Sequence, residues 1–149
     1  MIAVGTFEDE LSDLKKGYDH GSFEYGDPNI SFRHVVSSHF QKIQRNNSHG
    51  IYIVRQKSTG GVLYIGKSGT INPNGYFKGQ DIPGRLKNVK NGDIPADEWF
   101  KNLVNEKGQL VIEYVFLPLT PKSPTLIESL LLQAYFNENK SLPYRNNSF

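Results

Sequence analysis

The chain has 149 residues, a formal net charge of +2 and no cysteine. That length fits one domain able to bury about two-thirds of its unfolded surface, and the missing thiols exclude a disulfide framework, a thiolate metal site and a cysteine nucleophile. No apolar run approaches the roughly eighteen residues that a membrane span needs, and so small a charge does not by itself argue for nucleic acid.

The charge is unevenly spread. Residues 1–28 hold seven Asp or Glu against Lys15 and Lys16, whereas residues 49–149 hold twelve Lys or Arg against eight acids. An acidic leader on a modestly basic body suits a polyanionic partner, although many ordinary domains share the pattern. Met1-Ile2-Ala3-Val4 is too short for a signal-peptide core and Glu8-Asp9-Glu10 follows closely, so the expected compartment is the cytoplasm, with no membrane association.

In chain order, Phe7, Leu11 and Leu14 have helical spacing and predict a short helix near residues 6–16. The glycine-punctuated remainder to Pro28 reads as a loop draped over the body. Phe32, Val35, Val36, Phe40 and Ile43 mark one face of a helix from about Ser31 to Arg45. Its other positions carry Arg33, His34, His39, Lys42 and Arg45, which suit either a solvated face or one that contacts phosphates. Asn46-Asn47-Ser48 breaks that helix.

Gly50-Ile51-Tyr52-Ile53-Val54 and Val62-Leu63-Tyr64-Ile65-Gly66 are strands rich in β-branched and aromatic residues, with turn residues Lys57 to Gly61 between them. A turn centred on Thr59 pairs Tyr52 with Gly66 and Val54 with Tyr64, which makes the two tyrosines diagonal neighbours on one face. A slip of one residue would separate them.

A polar loop rich in Gly, Pro and Asn follows from Ser68 to Gly84. Loops of this length in compact domains are more often functional than idle. Tyr76-Phe77-Lys78 at its middle suits stacking on nucleotides, or equally a small cluster pinning the loop down. Helices are then expected from Ile82 to about Asn91-Gly92 and from Pro95 to Asn105, a third strand from Gln109 to Leu117, and a helix from Pro124 to about Asn139. Leu142 to Asn146 forms an extended tail.

Gly50-Ile51-Tyr52 followed at hairpin spacing by Tyr64-Ile65-Gly66 resembles the signature of the GIY-YIG nucleases, and Arg85, Glu128 and Asn146 extend the likeness over residues 49–147. The resemblance implies a small α/β fold, a three-stranded antiparallel sheet flanked by helices, here with an extra N-terminal helical arm. Residues 1–48 would be that arm, with one or two helices packed on the body, and 49–149 the nuclease-like domain. The implied function is a divalent-metal-dependent endonuclease acting on nucleic acid, DNA foremost, with Mg²⁺ or Mn²⁺ as cofactor and room for a homodimer. The alternative is a catalytically weak or inactive nucleic-acid-binding module that keeps the fold.

The implied roles fall on particular side chains. Glu128, in Glu-Ser-Leu-Leu-Leu-Gln-Ala, would be the metal's carboxylate, the other ligands being waters and phosphate oxygens. From the residues alone it is either the capping-box partner of Thr125 or, with Ser123 as cap and Pro124 at the first helical position, a second-turn carboxylate that caps nothing. Arg85 would grip the phosphate through its planar guanidinium. Two departures stand out: twenty residues separate Tyr64 from Arg85, more than the family usually has, and Val89 occupies a position where a His or Tyr often stands. Tyr52 or Tyr64 would relay the proton from water. A free phenol has a pKa of about 10, which Lys67 and a nearby metal are expected to lower. Asn146, three residues after Pro143, would steady the site, with Asn137 and Asn139 as rivals. His49, Tyr76, Lys78 and Lys87 are candidate nucleic-acid contacts, and Gly50, Gly60 and Gly66 serve backbone geometry.

Overall fold

The computed structural model describes residues 5–45, 47–88, 90, 93–118 and 121–147. The elements in order are α1 (Phe7–Gly17), β1 (His20–Tyr25), α2 (Phe32–Phe40), β2 (Gly50–Gln56), β3 (Val62–Ser68), β4 (Thr70–Ile71), β5 (Phe77–Lys78), α3 (Ile82–Leu86), α4 (Ala96–Lys107), β6 (Leu110–Phe116) and α5 (Pro124–Asn139). β1, β6, β2 and β3 form, in that order, an antiparallel sheet, and β4 pairs with β5 in a separate two-stranded hairpin. Among the described residues no helix is long and apolar enough to cross a membrane.

β2 is buried from Gly50 to Val54 because it lies inside the sheet with helices on both faces. Ile51, Ile53 and Ile65 face α1 and α5, meeting Phe7, Leu11, Ile127 and Leu131. Tyr52 and Val54 face the opposite way, onto Phe32, Val36 and Phe40 of α2, Ile82 and Leu86 of α3, and Trp99, Phe100 and Leu103 of α4. Phe32 and Phe100 stack at 3.6 Å between ring centroids, fastening α2 to α4. At the start of β2 the neighbouring strand leaves no room for a side chain: a Cβ on Gly50 would lie 1.9 Å from the Val115 carbonyl oxygen.

The expected three-stranded sheet is four-stranded. The additional strand, β1, comes from the stretch expected to be a loop, and it pairs with β6 from His20↔Val115 to Tyr25↔Leu110. As an edge strand covered on one side it needs apolar residues only at the inward positions, and Phe23 and Tyr25 are its two buried residues. Two positions are too few to reveal a period. The N-terminal residues are therefore more than a helical arm, since β1 extends the sheet and α2 supplies much of one core.

α2 ends at Phe40 rather than near Arg45, and α3 ends at Leu86. Asn46 of the expected helix break, Val89, and the Asn91-Gly92 end expected for the third helix lie outside the described residues. The expected long loop also contains structure, the β4–β5 hairpin.

The C-terminal tail runs beside β3, the other edge of the sheet. Arg145 N–H donates to the Leu63 carbonyl at 2.8 Å. The Asn146 side chain accepts from Ile65 N–H and donates to Ile65 C=O, both at 2.9 Å. A primary amide offers the same donor and acceptor pair as a backbone unit, so Asn146 substitutes for a neighbouring strand at that point.

Candidate active site

β2 and β3 pair in the register expected from their turn, Tyr52 opposite Gly66 and Val54 opposite Tyr64, with an irregularity after Val54. The two phenol rings lie 5.9 Å apart, tilted by 31°. Gly66 makes this possible, because the Tyr52 ring lies across it and a Cβ there would come within 2.4 Å of the ring. Gly66 thus yields its side-chain space to the Tyr52 phenol.

The two tyrosines differ in access. Tyr52 is fully buried, and its hydroxyl has no hydrogen-bond partner among the described residues. It lies close enough to Tyr64 for the two to influence each other's ionisation, yet no well-formed bond joins them. Tyr64 is partly exposed, packs edge-to-face on Trp99 at 5.2 Å, and lines a cleft of about 320 Å³. Burial pushes Tyr52 well above the ordinary phenol value of 10.0. Burial also raises Tyr64, and the Arg85 charge pulls against it. The expected lowering of the phenols is therefore not a property of the protein alone. Lys67 exerts its charge on Glu128 instead.

The same cleft gathers Lys67 and Ser68 from β3, Lys78 from β5, Arg85 from α3 and Glu128 from α5. It wraps the β3 edge of the sheet, where helices from opposite faces come together. Three cations and one carboxylate line it, a balance that favours an anion. Glu128 stands on the second turn of α5. Ser123 caps that helix, accepting from Leu126 N–H at 3.2 Å, with Pro124 in the first turn. The capping-box alternative is thereby removed, and Thr125 instead accepts from Lys67 Nζ at 3.1 Å. Burial raises the Glu128 carboxyl, with Lys67 and Arg85 countering.

Arg85 is held by a short helix tied at both ends. Asp81 caps the start through Gly84 N–H at 2.9 Å. At the other end Lys90, 2 % exposed, turns its ammonium back onto the carbonyls of Arg85 at 2.5 Å, Asn88 at 3.0 Å and Leu86 at 3.4 Å. They lie at and just past the end of α3, where the Arg85 carbonyl also accepts from Asn88 N–H at 3.3 Å. Burial, aided by the Arg85 charge, lowers Lys90 from 10.5 to about 7.

The remaining candidates disperse. Asn146 supports β3 from outside, through its backbone. Lys87 Nζ donates to Ser37 Oγ at 3.2 Å, toward α2. His49 shares Nδ1 with Asn47 Oδ1 at 2.8 Å and stacks on Phe77 at 4.4 Å. Tyr76 stands exposed on the hairpin. Ser68, Thr70 and Gln80 line the cleft and were not singled out from sequence, because short polar residues in a loop carry no spacing signal.

Among the described residues, no three His, Cys, Asp or Glu side chains converge to hold a metal. The donor set fits one hard cation nonetheless: Glu128 is a lone oxygen ligand at an open cleft with no salt bridge of its own among the described residues, and Mg²⁺ is commonly held by one or two carboxylates plus waters and phosphate oxygens. No family model, characterised protein or solved structure was found to match the chain.

Proposed function

We propose that the protein is a GIY-YIG-like, divalent-metal-dependent endonuclease that hydrolyses a phosphodiester, with DNA as the foremost substrate. The observation that carries this reading is the meeting of Tyr64, Lys67, Arg85 and Glu128, from three separate elements, in one cleft. Arg85 receives the scissile phosphate through paired N–H donors, and Lys67 and Lys78 add positive charge where the phosphoryl oxygens become more negative. Tyr64, the phenol with access to the cleft, accepts a proton from the attacking water as phenolate. The water oxygen then bonds to phosphorus and the bond to the leaving oxygen breaks. Glu128 would hold Mg²⁺ or Mn²⁺, which when bound supplies further positive charge to the phosphate. Tyr52 and Gly66 keep Tyr64 in position from behind.

Plasmid nicking with and without Mg²⁺, using the native chain and Glu128→Gln, tests the proposal. Cleavage should need the metal and fall at least about 100-fold in the variant, while the circular dichroism spectrum stays unchanged. A folded Glu128→Gln protein that nicks at the native rate overturns the assignment. The raised phenols favour one competing reading, a module that binds nucleic acid and cleaves it poorly. In the same assay it would shift the plasmid's mobility without nicking it.

A further inference from the structure

The β4–β5 hairpin is built rather than draped. Thr70 pairs with Lys78 and Ile71 with Phe77, and the tip closes through Asn72 N–H to the Tyr76 carbonyl and Gly75 N–H to the Asn72 carbonyl, both 2.8 Å. Its root is packed: Phe77 stacks on His49, which Asn47 orients, and a Cβ on Gly69 (φ +90°) would meet both rings at about 3 Å. Phe77 thus turns inward, and its two neighbours in sequence have different surroundings. Lys78 lines the cleft with Arg85 and Glu128. Tyr76 is 67 % exposed. Two strand residues span roughly 7 Å, so one bound strand can reach both.

We infer that this hairpin is a binding site for an unpaired nucleobase, with Tyr76 as the stacking surface and Lys78 joining it to the phosphate cleft. The inference rests on the nucleic-acid reading above and narrows it to substrates with an unpaired base beside the cut. In a duplex both faces of a base are covered by its neighbours, so a protruding ring finds a free face only on a base that is single-stranded, terminal or turned out. The ring belongs to a small hairpin whose root is pinned, so little ordering is required on binding. The cationic cleft next to it matches the strand's own charge.

The test uses the full chain carrying Glu128→Gln, without metal, and two fluorescent DNAs of equal phosphate number whose ends are the same and capped by a bound blocking protein, a blunt duplex and a duplex with a short internal 5′ flap. The expected result is tighter binding of the flapped DNA. Tyr76→Ala should lose roughly 5- to 100-fold on that DNA, the range of base–aromatic stacking, and little on the blunt one. Tyr76→Phe should bind as the parent does. Lys78→Ala should weaken both DNAs alike and flatten the salt dependence. Equal binding of the two DNAs, or no effect of Tyr76→Ala, overturns the inference; if plasmid nicking still occurs, the nuclease reading survives that outcome. A flap preference that depends on Tyr76 in a protein that never nicks supports the inference and removes the enzyme. Binding to neither DNA removes both.

Discussion

The Tyr52 hydroxyl is a polar atom sealed in the core without a partner among the described residues, and such a group carries a penalty of about 1–3 kcal/mol. Tyr52→Phe should therefore hold or raise the urea midpoint, while Tyr64→Phe, which removes the hydroxyl with access to the cleft, should abolish nicking with the fold intact. A variant pair behaving the other way round would assign the proton transfer to Tyr52. The pH profile carries a second expectation. Burial keeps Tyr64 above 10.0, so below that value its phenolate fraction grows about tenfold per pH unit. The single-turnover rate should climb into the alkaline range, and a flat profile from pH 7 to 9 would exclude a phenolate base. None of this difference between the tyrosines can be read from Ile-Tyr-Ile and Leu-Tyr-Ile. It arises from which strand is central and which lies at the edge.

At the scale of elements, α3 and its Lys90 anchor make stability depend on pH. Lys90 ionises near 7 in the folded protein and at 10.5 as the ordinary value. Between these values the unfolded chain binds the extra proton, so stability should rise as pH increases from about 7 toward 10. Above 10 the sign reverses, because Tyr52 and Tyr64 are raised when folded and that contribution is lost as pH climbs through their folded values. Denaturant midpoints from pH 7 to 9 should show the rise, and Lys90→Met should remove it. The strand pair β2–β3 was legible because its turn fixes the register and the stretches 50–54 and 62–66 carry no charged residue. β1 was not, since one covered face leaves only Phe23 and Tyr25 as signal. The β4–β5 hairpin was hidden for a different reason: two-residue strands fall below any detectable period, and the ring packed on their root, His49, comes from outside the loop. Ser123-Pro124 offered the second-turn placement of Glu128 beside a capping box, while the role of Lys90 depends on its side chain folding back onto carbonyls two to five residues earlier, which spacing does not express.

For the whole molecule, the N-terminal third is tied into the body at many points. Phe23, Tyr25, Phe32, Val36 and Phe40 lie in the same core as Tyr52 and Trp99. Arg55 of β2 joins Glu8 of α1 and Glu113 of β6, and Lys15 reaches Glu113 at 3.1 Å. A fragment spanning 49–149 should therefore fail to fold cooperatively, seen as lost near-ultraviolet dichroism and rapid proteolysis. A stable, nicking-competent fragment would instead mark residues 1–48 as a separate arm. The molecule also holds its own reporter. Its single tryptophan, Trp99, is nearly inaccessible to solvent but lies edge-on against the phenol that lines the cleft. Any occupant that shifts that phenol or draws off its proton will perturb the indole's emission. Intrinsic fluorescence should therefore follow ligand entry in real time on unlabelled protein, before a single bond has been cut.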